Sequence, residues 1–204
     1  MTKGLQAIVF DLGNVLIRYD EQLVLRNFAA RTGKTPEEIA RYLLSTPHVT
    51  ELALGKVTPR GFYRTVAHDL GFAGSFEEFA ASWNESLTAI EPMMELAASL
   101  ATRLPRVVLS NTNAIHMEYI TGTFPILQEF DSQILSHEVG LLKPDAAIYR
   151  LTLQQCGLEA DRTLFIDDLR ANVEGARAVG MQAIQFESVE QIRAELTNRG
   201  VLTI

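Results

Sequence analysis

The chain has 204 residues, longer than one typical domain of about 150 and shorter than two, which favours a single core with an inserted subdomain. Apolar residues make up 47% and charged residues 21%, a balance that excludes an intrinsically disordered chain. The net charge of −7 provides no basic stripe for nucleic acid, and one cysteine, Cys156, excludes an internal disulfide and a thiolate zinc centre and points to a reducing, cytoplasmic setting. No apolar run approaches the roughly 20 residues that cross a bilayer, so no membrane partner is expected.

The first apolar run, residues 7–10, reads as a buried strand and ends at Asp11-Leu12-Gly13-Asn14-Val15. Residues 17–89 have another texture. Amphipathic spacing predicts helices over 20–31, 36–45, 58–70 and 75–88, Thr35-Pro36-Glu37-Glu38 and Ser75-Phe76-Glu77-Glu78 read as capping boxes, and no strand signal appears. His48 and Glu51 fall in a helix-poor part of this stretch. A helix over 91–104 precedes a strand over 106–109, which runs into Ser110-Asn111-Thr112-Asn113. A shorter strand over 132–136 follows, and Lys143-Pro144-Asp145 opens a helix over 145–156. A strand over 163–166 ends in Asp167-Asp168, a helix over 171–179 stops at Gly180, and 182–186 reads as a last strand. Strands alternating with helices predict an α/β fold with a doubly wound parallel sheet. Residues 1–16 and 90–204 form its Rossmann-like core, and 17–89 form a small helical cap over the crevice where such sheets bind ligands.

Four polar segments at strand ends or helix starts therefore converge: Asp11, Ser110 with Asn111, Lys143, and Asp167-Asp168. Carboxylates gathered in an acidic chain repel one another unless a cation lies among them, and an all-oxygen ligand set suits Mg²⁺. Ser110, the N–H groups around Asn111 and the Lys143 ammonium would hold phosphoryl oxygens, and an aspartate beside a neutralised phosphoryl group can attack it. Each piece has a plainer reading. Asp11 before a glycine suits a turn, Ser110-Asn111 suits a helix N-cap, Lys143 suits solvent, and Cys156, Phe76, Phe79 and Trp83 suit packing. Two carboxylates directly after an apolar strand are the costly exception, and strand alternation leaves one of them as a direct ligand.

Taken in order, Val9-Phe10-Asp11-Leu12-Gly13-Asn14-Val15, Val108-Leu109-Ser110-Asn111-Thr112-Asn113, Gly140-Leu141-Leu142-Lys143-Pro144 and Phe165-Ile166-Asp167-Asp168 resemble the motifs of the haloacid dehalogenase-like hydrolases. Within that superfamily the text is similar to the bacterial α-D-glucose-1-phosphate phosphatase group and to the phosphatase domain of soluble epoxide hydrolases. The resemblance implies a Mg²⁺-dependent phosphatase for a small phosphorylated substrate. It makes Asp11 the nucleophile and a metal ligand, the Gly13 carbonyl and Asp168 further ligands, and Asp167 and Asn172 supports of the metal loop. Ser110, Asn111 and Lys143 would bind the phosphoryl group, with Lys143 bridging it to Asp11. One position departs from the pattern. Family phosphatases carry a second aspartate, the general acid and base, two residues after the nucleophile, where this chain has Gly13. A leaving group that needs little protonation, such as the hemiacetal oxygen of a sugar 1-phosphate, would tolerate the loss. A cap group such as His48 or Glu51 is the other route. Arg18 and Tyr19 fall at the cap hinge, with contact to substrate or to solvent both open. Two further functions compete: a dehalogenase, disfavoured by the acidic pair Asp167-Asp168, and a weakened phosphate-binding module, favoured by Gly13 alone. No heptad or long apolar stripe declares an oligomeric interface.

Overall fold

The computed structural model describes residues 4–202. β1 (Ala7–Phe10) is buried at every position and delivers the chain to Asp11. β2 (Ile17–Tyr19) then leads into α1 (Glu21–Thr32), α2 (Pro36–Ser45), α3 (His48–Ala53), α4 (Pro59–Leu70) and α5 (Phe76–Asn84), and β3 (Leu87–Ala89) returns antiparallel to β2. The remaining chain alternates: α6 (Glu91–Ser99), β4 (Arg106–Ser110), α7 (Ala114–Thr123), β5 (Ser132–Leu135), α8 (Ser136–Val139), α9 (Ala146–Cys156), β6 (Thr163–Asp167), α10 (Arg170–Ala178), β7 (Gln182–Gln185) and α11 (Val189–Asn198).

The sheet order is β5-β4-β1-β6-β7, with every pairing parallel. Alternation divides the central strands between two faces. Ile8, Phe10, Val108, Leu164 and Ile166 pack with α6, α7 and α11, whereas Val9, Val107, Leu109 and Phe165 pack with α9 and α10. Covering on both faces explains the unbroken apolar runs. From β1 the chain winds outward to β5, then crosses back to β6, so the order reverses between β1 and β6. Ligands of such sheets bind outside the strand ends at that reversal. Asp11 and Asp167-Asp168 are the residues placed there.

Helices α1–α5 gather around a second core that also takes in Ile115 of α7 and is built on Phe28, Phe62, Phe79 and Trp83, with Phe28 5.0 Å from Phe79 and Phe62 5.2 Å from Trp83 in edge-to-face contacts. Both expected capping boxes form, Thr35 with Glu38 and Ser75 with Glu78. Two expectations are corrected. Residues 17–89 do contain strands, β2 and β3, but each has three residues, too few for alternation to show in the sequence. The stretch holding His48 and Glu51 is helical as α3, entered through Pro47 rather than through a side-chain cap. No helix among the described residues is long and apolar enough to cross a membrane.

Candidate active site

Lys143 lies at the centre of the site. Its side chain is buried, yet its Nζ lies 2.8 Å from Asp11 Oδ1 and 2.7 Å from Asp167 Oδ2. A buried ammonium is tolerable only with such partners. Its backbone is held as firmly. The Asn111 side chain donates from Nδ2 to the Lys143 carbonyl (2.9 Å) and accepts at Oδ1 from the Lys143 N–H (2.8 Å). The Asn111 side chain thus clamps the lysine loop, which leaves its backbone N–H as the group expected to meet a phosphoryl oxygen. A methyl group on Gly175 would sit 2.7 Å from the Pro144 carbonyl oxygen, so α10 approaches that loop as closely as a residue without a side chain allows.

The two neighbouring aspartates differ sharply. Asp167 is fully buried, and both its oxygens are occupied: Oδ1 accepts from the Leu169 N–H (2.9 Å) and Asn172 Nδ2 (3.0 Å), Oδ2 from Lys143 (2.7 Å) and Asn172 (3.0 Å). Asp168 lies past the end of β6, half-buried, with a long 3.5 Å contact from Asn14 Nδ2. Burial, and then the charge of Asp167, push its carboxyl above the usual range. Asp11 uses Oδ1 for the Leu12 N–H (2.6 Å) and Lys143, and its Oδ2 makes no hydrogen bond among the described residues. Burial drives the Asp11 pKa up from 3.8 to about 7, opposed by Lys143 and reinforced by Asp167.

Asp11, Asp167 and Asp168 offer oxygens within 4.8 Å of one another. Three carboxylates against one ammonium leave a local excess of negative charge, and the donors are all oxygen, so the residues fit a hard divalent cation. A cavity of about 340 Å³ opens over them, lined on the core side by Asp11, Gly13, Ser110, Asn111, Lys143 and Asp168. The lining also includes apolar residues, with Val49 and Ala53 of α3, Trp83 of α5, and Ile17 and Leu87 of the β2-β3 ribbon. His48 and Glu51 are not among the residues lining this cavity and lie 3.6 Å from each other. Tyr19 lines it, whereas Arg18 faces a separate groove.

Several contributors carried no role in the sequence reading. Asn14 takes a positive φ of 53°, which asparagine accepts more readily than most residues, and its side chain bonds the Tyr19 N–H at 3.1 Å. Ser136 Oγ accepts from the Thr112 N–H and donates to the Thr112 carbonyl, both at 2.9 Å, bracing the loop after β4. His116, in the first turn of α7, lines the cavity against Trp83. Position in the helix hid it, since no metal spacing or strand end marks it.

The matching family model is that of the haloacid dehalogenase-like hydrolases, and it covers residues 5–180. The chain belongs to that family. It is a hydrolase, and full-length relatives are named as phosphatases. A sesquiterpene phosphatase, astK, of Aspergillus oryzae is 25% identical over 91% of this chain and 92% of its own length. A D-ribitol-5-phosphate phosphatase of Bacteroides thetaiotaomicron is 26% identical over 93% of this chain and 96% of its own. Among solved structures, a HAD family enzyme from Bacteroides thetaiotaomicron in complex with magnesium and inorganic phosphate superposes with a TM-score of 0.83 at 25% identity, covering 90% of this chain and 95% of that one.

Proposed function

We propose that this chain is a Mg²⁺-dependent phosphomonoesterase that works through an aspartyl-phosphate on Asp11, acting in the cytoplasm on a small phosphorylated metabolite. The supporting observation is the cluster itself: three carboxylates within 4.8 Å, one buried lysine between two of them, and a cavity above. The names of the full-length relatives and the magnesium and phosphate held by a structural neighbour point the same way.

Asp11, the Gly13 carbonyl and Asp168 would hold the ion, with Asp167 and Asn172 fixing the loop behind them. When bound, Mg²⁺ would neutralise charge on the phosphoryl group. The chain's own groups do the rest. Lys143 and the Leu12 N–H fix Asp11 Oδ1, which sets the direction of the carboxylate. Ser110, the Asn111 N–H and Lys143 orient the phosphoryl oxygens, so that one Asp11 oxygen forms the new P–O bond as the bond to the leaving oxygen breaks. Water then cleaves the acyl phosphate, releasing inorganic phosphate and restoring Asp11.

Gly13 has no proton to give the leaving oxygen. Substrates whose leaving group needs little acid help, sugar 1-phosphates foremost, are therefore the expected class, and plain alkyl phosphates the poor one. The cap, residues 17–89, covers the leaving group and excludes water. A p-nitrophenyl phosphate assay with and without Mg²⁺, on wild type and Asp11→Asn, tests the reading. Metal-dependent turnover lost in the variant is expected; metal-free chloride release from a haloacid would establish the dehalogenase instead, and phosphate binding without turnover the weakened module.

A further inference from the structure

The wall facing the carboxylate cluster carries a polar atom whose hydrogen-bonding sense is dictated by its neighbours. Asn84 is buried, and its Nδ2 donates to the Ile115 carbonyl at 3.2 Å. Its Oδ1 is thereby the atom that meets His116 Nδ1, 2.7 Å away, and an amide oxygen can only accept. The proton of the imidazole therefore sits on Nδ1. Burial lowers the ring's pKa to about 4, so the ring is neutral at physiological pH and Nε2 presents a lone pair. Trp83 stacks on one face at 6.0 Å and 25°, and Tyr19 meets the ring at 6.0 Å and 70°, which locks its orientation. Nε2 has no hydrogen-bond partner among the described residues and, unlike the indole nitrogen of Trp83, is not sealed by protein.

We infer that His116 Nε2 is a specificity-determining acceptor for a hydroxyl group on the leaving alcohol, so that the substrates are hydroxylated phosphates of the polyol or sugar kind rather than hydrocarbon alcohol phosphates. The inference rests on the phosphomonoesterase reading. The cavity that His116 lines also has apolar residues Ile17, Val49, Ala53, Leu87 and Ile120, which a hydrocarbon satisfies, but a hydrocarbon brings no donor to the Nε2 lone pair. Tyr19 contributes a hydroxyl that can donate or accept and so does not tell a donor from an acceptor. A fixed acceptor does. An analogue without a donor there forfeits the bond and strands the nitrogen, the asymmetry by which sites built for a hydroxyl reject its absence.

Binding separates this subsite from the chemistry. Dissociation constants are measured by calorimetry with Mg²⁺ on the Asp11→Asn protein, for butyl phosphate and the monohydroxybutyl phosphates. At least one hydroxy derivative is expected to bind about tenfold more tightly than butyl phosphate. That preference should vanish when His116→Phe is added and return in part with His116→Gln, whose amide oxygen still accepts. Equal binding of all the phosphates, or a preference that survives His116→Phe, overturns the inference. If wild type with Mg²⁺ fails to hydrolyse p-nitrophenyl phosphate while the ranking holds, the phosphatase reading fails and the hydroxyl subsite stands.

Discussion

Gly13→Asp is the most direct test of how the site handles the leaving-group proton. A Cβ built at Gly13 meets no heavy atom within 4 Å, and the position lines the cavity, so the new side chain has room beside the reacting atoms. Gly13 is also absent from the positive-φ positions, so an aspartate there carries no backbone strain. Positioned general acids contribute about 10²–10⁴-fold, equivalent to roughly 3–5 kcal/mol of barrier. A fourth carboxylate near Asp11, Asp167 and Asp168 opposes entry of a dianionic substrate, which should appear as a higher KM. The expected result is a kcat for butyl phosphate raised about 10- to 100-fold, below the full range because the charge is added to an already acidic cluster. For p-nitrophenyl phosphate, whose leaving group departs without protonation, kcat should change by less than about threefold. Steady-state kinetics on both substrates with Mg²⁺ give the ratio. Equal changes for the two, or no gain on butyl phosphate by a folded variant, would refute the reasoning that the glycine limits catalysis.

Mg²⁺ should raise the melting temperature of wild type, with stabilisation approaching about 3 kcal/mol at a hundredfold excess over its dissociation constant, and Asp168→Asn should lose most of that shift in differential scanning fluorimetry. In EDTA, the Asp11 pKa of about 7 lies above its ordinary 3.8, so its protonated form is favoured by folding. The stability it contributes is complete below pH 4 and is lost as pH rises through 7, so the metal-free wild type should lose melting temperature over that interval faster than Asp11→Asn; parallel curves would contradict the assignment. At Gly55, φ is +66° and an added methyl group would overlap the His137 carbonyl oxygen, so Gly55→Ala should unseat the α3 end of the cap from α8 and lower kcat/KM at least tenfold, chiefly through KM. Gly175→Ala should cost about 1–3 kcal/mol in urea unfolding and reduce kcat, because the Pro144 loop must shift and carry Lys143 with it.

The sequence determined the central strands β1, β4 and β6 and the residues at their carboxyl ends, because these strands are buried on both faces and so are written around an apolar run that stops at a polar residue. Asp11, Ser110 and the Asp167-Asp168 pair were legible for that reason, Lys143 from the proline-marked helix start after it, and the capping boxes of α2 and α5 from partners three residues apart. Tertiary structure decided what depends on contacts between distant segments. The Asn111 side chain clamps the Lys143 backbone because the two, 32 residues apart, exchange a pair of hydrogen bonds. Asp167 is buried and saturated while Asp168 remains half-exposed, a difference that two identical adjacent letters cannot express and that arises because β6 ends between them. The same holds for His116. Its tautomer is set by Asn84, across the boundary between the cap and the core, and only folding brings that amide to within 2.7 Å of the ring.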